Sequence, residues 1–68
     1  MKLSARNLLK GTIKSVNKGS TTAHVLLDIN GATVTASITN QAVDDLALAP
    51  GKSAYAVIKA SDVMIAID

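Results

Sequence analysis

Thr21-Thr22-Ala23-His24-Val25-Leu26-Leu27-Asp28-Ile29-Asn30-Gly31-Ala32-Thr33-Val34-Thr35-Ala36-Ser37-Ile38-Thr39 is the stretch that decides the fold. In its first half Ala23, Val25, Leu27 and Ile29 alternate with Thr22, His24, Leu26 and Asp28. In its second half Val34, Ala36 and Ile38 alternate with Thr33, Thr35, Ser37 and Thr39. A period of two marks a strand with one buried face. Asn30-Gly31 stands between the halves, and both central residues of a type I′ turn need positive φ, which Asn and Gly tolerate best. The stretch therefore predicts a strand over residues 21–30, a tight turn, and a partner strand over 32–39.

Upstream, Arg6, Lys10, Lys14 and Lys18 recur every four residues. That spacing fits one helix face and one strand face equally well. Gly11, Thr12, Ile13 and Val16 are poor helix formers and good strand formers, so a strand over residues 8–17 is expected. It ends in the turn Asn17-Lys18-Gly19-Ser20 and carries its basic residues on one face.

Downstream the period changes. Val43, Leu46 and Ala47 lie at helical spacing with Asp44 and Asp45 outside, which predicts a short helix over 40–47. Thr39 or Asn40 can cap it, and the aspartates suit its first turn. Pro50-Gly51 makes a turn. A strand over 53–60 places Ala54, Ala56 and Ile58 on one face and Tyr55, Val57 and Lys59 on the other. Ser61-Asp62 is a tight link to a last strand over 63–67. The fold class is mainly β: an OB-like five-stranded small barrel with one short helix between strands 3 and 4. A small open α+β sheet is the alternative.

The chain has 68 residues, enough for one domain spanning 1–68. Chains of this size bury only about 60% of their unfolded surface and usually need disulfides, metals or partner subunits. There is no cysteine, and His24 is the sole histidine, which excludes disulfides, thiolate metal sites and a histidine zinc cage. Partner subunits remain. The apolar 49% is mostly Ala, Val, Ile and Leu, with Tyr55 the only aromatic, a thin core that suits close subunit packing. No apolar run reaches membrane-spanning length, and Met1–Asn7 lacks the apolar core of a signal peptide, so a cytoplasmic protein without membrane partners is expected. The net charge of +2 divides unevenly: residues 1–27 hold five basic residues and no acid, whereas 28–68 hold two lysines and five aspartates. A concentrated positive potential points to an anionic partner.

Catalysis finds no support. His24 lies on a polar strand face without a carboxylate partner, Asp44-Asp45 is solvated helix charge, and no Gly-rich phosphate loop is present. OB-type nucleic-acid binding relies on aromatic stacking worth roughly 1–3 kcal/mol per base. One tyrosine and one arginine serve it poorly. A small tetrahedral oxyanion needs cationic groups, hydroxyls and free backbone N–H groups. Three segments have that character: Ser4-Ala5-Arg6-Asn7, Lys59-Ala60-Ser61 and Lys18-Gly19-Ser20-Thr21-Thr22.

The same residues carry a family resemblance. Ser4-Ala5-Arg6-Asn7 followed by Leu9-Lys10-Gly11 resembles the S-A-R-N-x-L-K-G opening of the molbindins, or Mop domains. Thr22-Ala23-x-Val25, Ser37-Ile38-Thr39, Val43-Asp44-Asp45-Leu46, Pro50-Gly51-Lys52 and Val57-Ile58-Lys59-Ala60-Ser61-Asp62-Val63-Met64 continue it to the far end. The resemblance implies an OB-like domain that binds and stores molybdate or tungstate in the cytoplasm without catalysis. It implies a homohexamer, a trimer of dimers, with the oxyanion at subunit interfaces. Relatives have been called molybdenum-pterin-binding proteins, yet the family picture is of free oxyanion and implies no pterin. Carried over by motif, the main site takes Ser4, Ala5, Arg6, Thr39, Lys59, Ala60 and Ser61, and a second site takes Gly19, Ser20, Thr21 and Thr22. Position 42 is often a hydroxyl-bearing Ser in the family and is Ala42 here. An OB-type nucleic-acid-binding or regulatory module is the alternative function.

Overall fold

The hairpin forms around Asn30 at φ 51° and Gly31 at φ 90°, a type I′ geometry, and Asp28 Oδ1 accepts the Gly31 N–H at 3.1 Å. The computed structural model describes all residues from Met1 to Asp68. Its elements are β1 (Asn7–Lys18), β2 (Thr22–Ile29), β3 (Ala32–Thr39), α1 (Asn40–Asp45) and β4 (Ser53–Ile58), followed by a 3-10 turn over Ala60–Asp62. The strands form one antiparallel sheet in the order β3-β2-β1-β4, curled into a half-barrel.

The expected alternation holds. Ala23, Val25 and Leu27 are buried with Ile13 and Val43, and Val16, Ile29, Ala36, Ile38, Leu48 and Ala54 pack around them. Gly11 lets β1 and β2 approach closely: a Cβ there would lie 2.4 Å from the Asp28 carbonyl oxygen.

Four readings are corrected. First, there are four strands and not five. Val63–Asp68 pairs with no strand of its own chain, and β4 ends at Ile58 and not at 60. A strand needs a neighbour, and no free edge of this chain receives that segment; Met64 and Ile67 are each 92% exposed. The sheet thus keeps two free edges, β3 and β4. An apolar slot of about 570 Å³ is lined by residues of both, among them Ala36, Ile38, Ala54 and Val57.

Second, the basic residues do not share one face. The β1–β2 register slips between Ile13 and Ser15, leaving Lys14 in a bulge. An extra residue inverts the alternation beyond it. Ile13 faces the core before the bulge and Val16 after it. Lys10 is therefore on the outer face opposite Tyr55, whereas Lys18 shares the register of buried Ala23.

Third, α1 is shorter than expected, ending at Asp45, and only Val43 of its apolar residues is buried. Leu46 is 64% exposed. The cause is Ala47, whose φ of 51° is left-handed and stops the helix. Leu48 N–H donates to Val43 O and Ala47 N–H to Asp44 O, each at 3.0 Å, the Schellman pattern. Lys52 Nζ adds a bond to Ala47 O at 2.8 Å. Fourth, the first turn of α1 carries no acid, since Asp44 and Asp45 fall in its second half.

Candidate functional site

β1 organises two groups of polar residues, one at each of its ends. At its start, Asn7 pairs with Ile58 of β4, and Asn7 Nδ2 donates to Ile58 O at 3.2 Å. Ser4-Ala5-Arg6 immediately precedes that pair and Lys59-Ala60-Ser61 immediately follows it. Antiparallel pairing thus brings the two segments, more than fifty residues apart in sequence, to one end of the sheet. Ser4, Arg6, Lys59 and Ser61 are exposed, and none of their side chains is hydrogen-bonded within the chain. Lys59 is extended, at φ −63° and ψ 140°, and leads into the 3-10 turn, where Asp62 N–H donates to Lys59 O at 2.9 Å. One acid, Asp62, lies on that turn and makes no ion pair, since Lys18–Asp44 is the chain's one salt bridge.

The far end of β1 holds the second group. Lys18 leads into the Gly19–Thr22 turn, closed by Gly19 N–H donating to Thr22 O at 2.8 Å. Thr22 is in register with Thr39, the last residue of β3. Thr39 Oγ1 accepts the Ala42 N–H at 3.0 Å, so Thr39 is the N-cap of α1. An accepting hydroxyl still has its own O–H to donate. Three contacts tie the turn to the helix. Asn40 N–H donates to Thr21 O at 2.8 Å, Asn40 Nδ2 donates to Gly19 O at 2.9 Å, and Lys18 Nζ meets Asp44 Oδ1 at 2.5 Å.

The structure therefore brings together Ser4, Ala5 and Arg6 with Lys59, Ala60 and Ser61, and separately brings Thr39 beside Gly19, Ser20, Thr21 and Thr22. It does not bring Thr39 to the first group within one chain. The 12 residues of β1 lie between them, about 36 Å of contour at ~3.3 Å per residue. Sequence reasoning missed the cross-link through Asn40 and the Lys18–Asp44 pair. Asn40 was legible only as a helix cap, because its partners come from a turn some twenty residues upstream. No group of three or more His, Asp or Glu side chains is placed to hold a metal ion. The side chains gathered at the two ends are hydroxyls and basic groups, with one carboxylate at each: Asp62 on the 3-10 turn and Asp44 paired with Lys18.

The TOBE domain family pattern matches residues 3–65, nearly the whole of this chain. The chain belongs to the TOBE domain family. Molybdenum-pterin-binding protein 3 of Clostridium pasteurianum is 47% identical to it over 66 residues, covering 96% of this chain and 97% of that protein. A molybdate-binding protein from Sporomusa ovata has the same fold at a TM-score of 0.94 with 37% identity, covering 98% of this chain and all of that one. ModG, a cytoplasmic molybdate-binding protein solved with molybdate bound, superposes at a TM-score of 0.89 with 48% identity, covering 94% of this chain and 46% of ModG. The molbindin resemblance read from the SARN opening and the Lys59–Met64 motif thus extends to the fold of the TOBE domain as a whole. No helix of this domain is long and apolar enough to cross a membrane.

Proposed function

We propose that this chain binds molybdate and stores it in the cytoplasm, as one Mop domain over residues 1–68, without catalysing a reaction. The observation that carries the reading is the convergence of Ser4-Ala5-Arg6 and Lys59-Ala60-Ser61 at the Asn7–Ile58 pair, in a domain whose solved relatives bind molybdate. Lys59 and Arg6 supply positive charge, Ser4 and Ser61 supply hydroxyls, and the residues flanking the ladder have backbone N–H groups to spare. A buried dianion is tolerable only where charges and several donors meet it together. Tungstate, a tetrahedral dianion of nearly equal size, fits the same donors.

The site lies between subunits. Thr39 is on the far end of β1 from Lys59, so one oxyanion meets both only when two copies place opposite ends together. The same arrangement accounts for the apolar slot between the free edges. Its occupant is the Val63–Ile67 segment of a second copy: extended at Val63 (φ −91°, ψ 125°), apolar, and exposing Met64, Ile65 and Ile67 on its own chain. Mutual exchange of that segment gives a dimer, and three dimers give the homohexamer. A pterin finds little support in the slot, where Tyr55 is the only aromatic ring and the hydroxyls of Ser53 and Tyr55 are the only polar side-chain groups.

Elemental analysis of the purified protein, beside titration with a single-stranded oligonucleotide, tests the proposal. Molybdenum or tungsten at several atoms per hexamer is the expected result. Tight oligonucleotide binding with no metal would favour a nucleic-acid module and overturn the storage reading.

A further inference from the structure

The Gly19–Thr22 turn is exposed, yet its carbonyl oxygens are largely occupied. Gly19 O accepts from Asn40 Nδ2, Thr21 O from the Asn40 N–H, and Thr22 O from the Gly19 N–H. A dianion is repelled by carbonyl oxygens and held by N–H and O–H groups. Two of these carbonyls, Gly19 O and Thr21 O, are turned to Asn40 at the start of α1, and Thr22 O is closed off within the turn. The hydroxyls of Ser20, Thr21 and Thr22 then stand on a turn with three of its four acceptors occupied. Asn40 makes two of those three bonds, and it is the residue next to the Thr39 cap.

Asn40 also carries a cost. Its Oδ1 is buried and has no hydrogen-bond partner. A buried acceptor without a donor destabilises the folded chain. An apolar side chain of similar size would avoid the penalty, while the Gly19 carbonyl it released lies where water reaches it. Stability alone therefore does not explain an asparagine at this position. We propose that Asn40 is a positioning residue for oxyanion binding at the Gly19–Thr22 turn, holding the turn in the donor-outward form and coupling it to the Thr39 hydroxyl. The inference rests on the oxyanion reading above and concerns the second of its two groups of residues.

The test compares the unaltered protein with Asn40→Leu, Asn40→Asp and Gln41→Glu. Molybdate affinity is read by calorimetry, and the place of binding by molybdenum anomalous scattering from crystals soaked at limiting molybdate. Asn40→Leu removes the donor and the unpartnered acceptor. Asn40→Asp keeps the shape and replaces the donor by an acceptor. Gln41→Glu adds the same charge one residue away without touching Gly19. In both Asn40 variants, binding at the turn is expected to weaken about 10-fold or more, as the released turn no longer aims one of its donors at the anion. The oxyanion shared by Lys59 and Thr39 is expected to lose less, because the Thr39 cap on the Ala42 N–H does not use the Asn40 side chain. The melting temperature of ligand-free Asn40→Leu is expected to be equal to or above that of the unaltered protein, an outcome a structural role alone does not give. Should Asn40→Leu fail to fold, Asn40→Asp decides. Unchanged binding at the turn in the folded Asn40 variants would overturn the inference, as would equal losses in Asn40→Asp and Gln41→Glu. Molybdenum at the Lys59 end but never at the turn of the unaltered protein would overturn it while leaving the oxyanion reading intact. No molybdenum at either place would overturn both.

Discussion

Replacing Thr39 by valine removes two functions of one oxygen atom, and they separate by measurement. Oγ1 caps α1 by accepting the Ala42 N–H at 3.0 Å. Losing an N-cap costs about 1 kcal/mol. In a domain of this size that lowers the melting temperature by about 4–8 °C. The hydroxyl proton is not used by the cap and is free for the oxyanion. Losing a hydrogen bond to a charged group costs roughly 1.5–3 kcal/mol, about 10- to 150-fold in affinity. Thr39→Ser keeps both functions and serves as the control. The assay is a melting curve without ligand, paired with a molybdate titration well below the melting temperature. Thr39→Val is expected to melt several degrees lower and to bind at least 10-fold more weakly, and Thr39→Ser to stay close to the unaltered protein in both. A lowered melting temperature with unchanged molybdate affinity would leave Thr39 a cap and nothing more, and would remove it from the site.

Lys59→Ala is expected to weaken molybdate binding about 10- to 150-fold and Lys52→Ala far less, because Lys52 Nζ is engaged by the Ala47 carbonyl whereas Lys59 has no partner in its chain; titration of both variants checks this, and equal losses would reduce the site to a general field. Ala47→Gly is expected to stabilise the fold by about 1 kcal/mol, since a left-handed residue with a Cβ is strained and Gly is not; a denaturant melt at equal protein concentration reads it. Ala42→Ser returns a hydroxyl beside the Thr39 cap and is expected to tighten molybdate binding about 10-fold, the gain of one hydrogen bond to a charged group, measured by the same titration.

The parts of the fold that local chemistry dictates were legible before the structure. Asn30-Gly31 specifies its turn through backbone strain alone, and the flanking alternation places Ala23, Val25 and Leu27 in the core. The bulge at Lys14 was not legible, because nothing in the residues from Ile13 to Val16 marks where a period of two slips; only the pairing with Leu26 and Leu27 reveals it. Leu46 matched a helical spacing that Ala47 cut short, since alanine gives no warning of a left-handed conformation that glycine would have announced. The segment after Asp62 reads as a strand by composition, yet a strand is defined by its neighbour, and no strand of this chain pairs with it. The candidate site shows the same division. Its motifs were visible as short runs, and the β1–β4 register that brings Arg6 beside Lys59 follows from long-range pairing. That Thr39 belongs to the opposite end of β1 is a property of the folded sheet alone.

Parallel calorimetric titrations with molybdate and sulfate, at equal ionic strength, test the central claim most directly. Both anions are tetrahedral dianions, and sulfate is the smaller. The proposed donors at Ser4, Arg6, Lys59 and Ser61 are expected to bind molybdate saturably at a fixed number of sites per subunit and to bind sulfate far more weakly. Equal binding of the two anions, or no saturable heat with molybdate, would contradict the account.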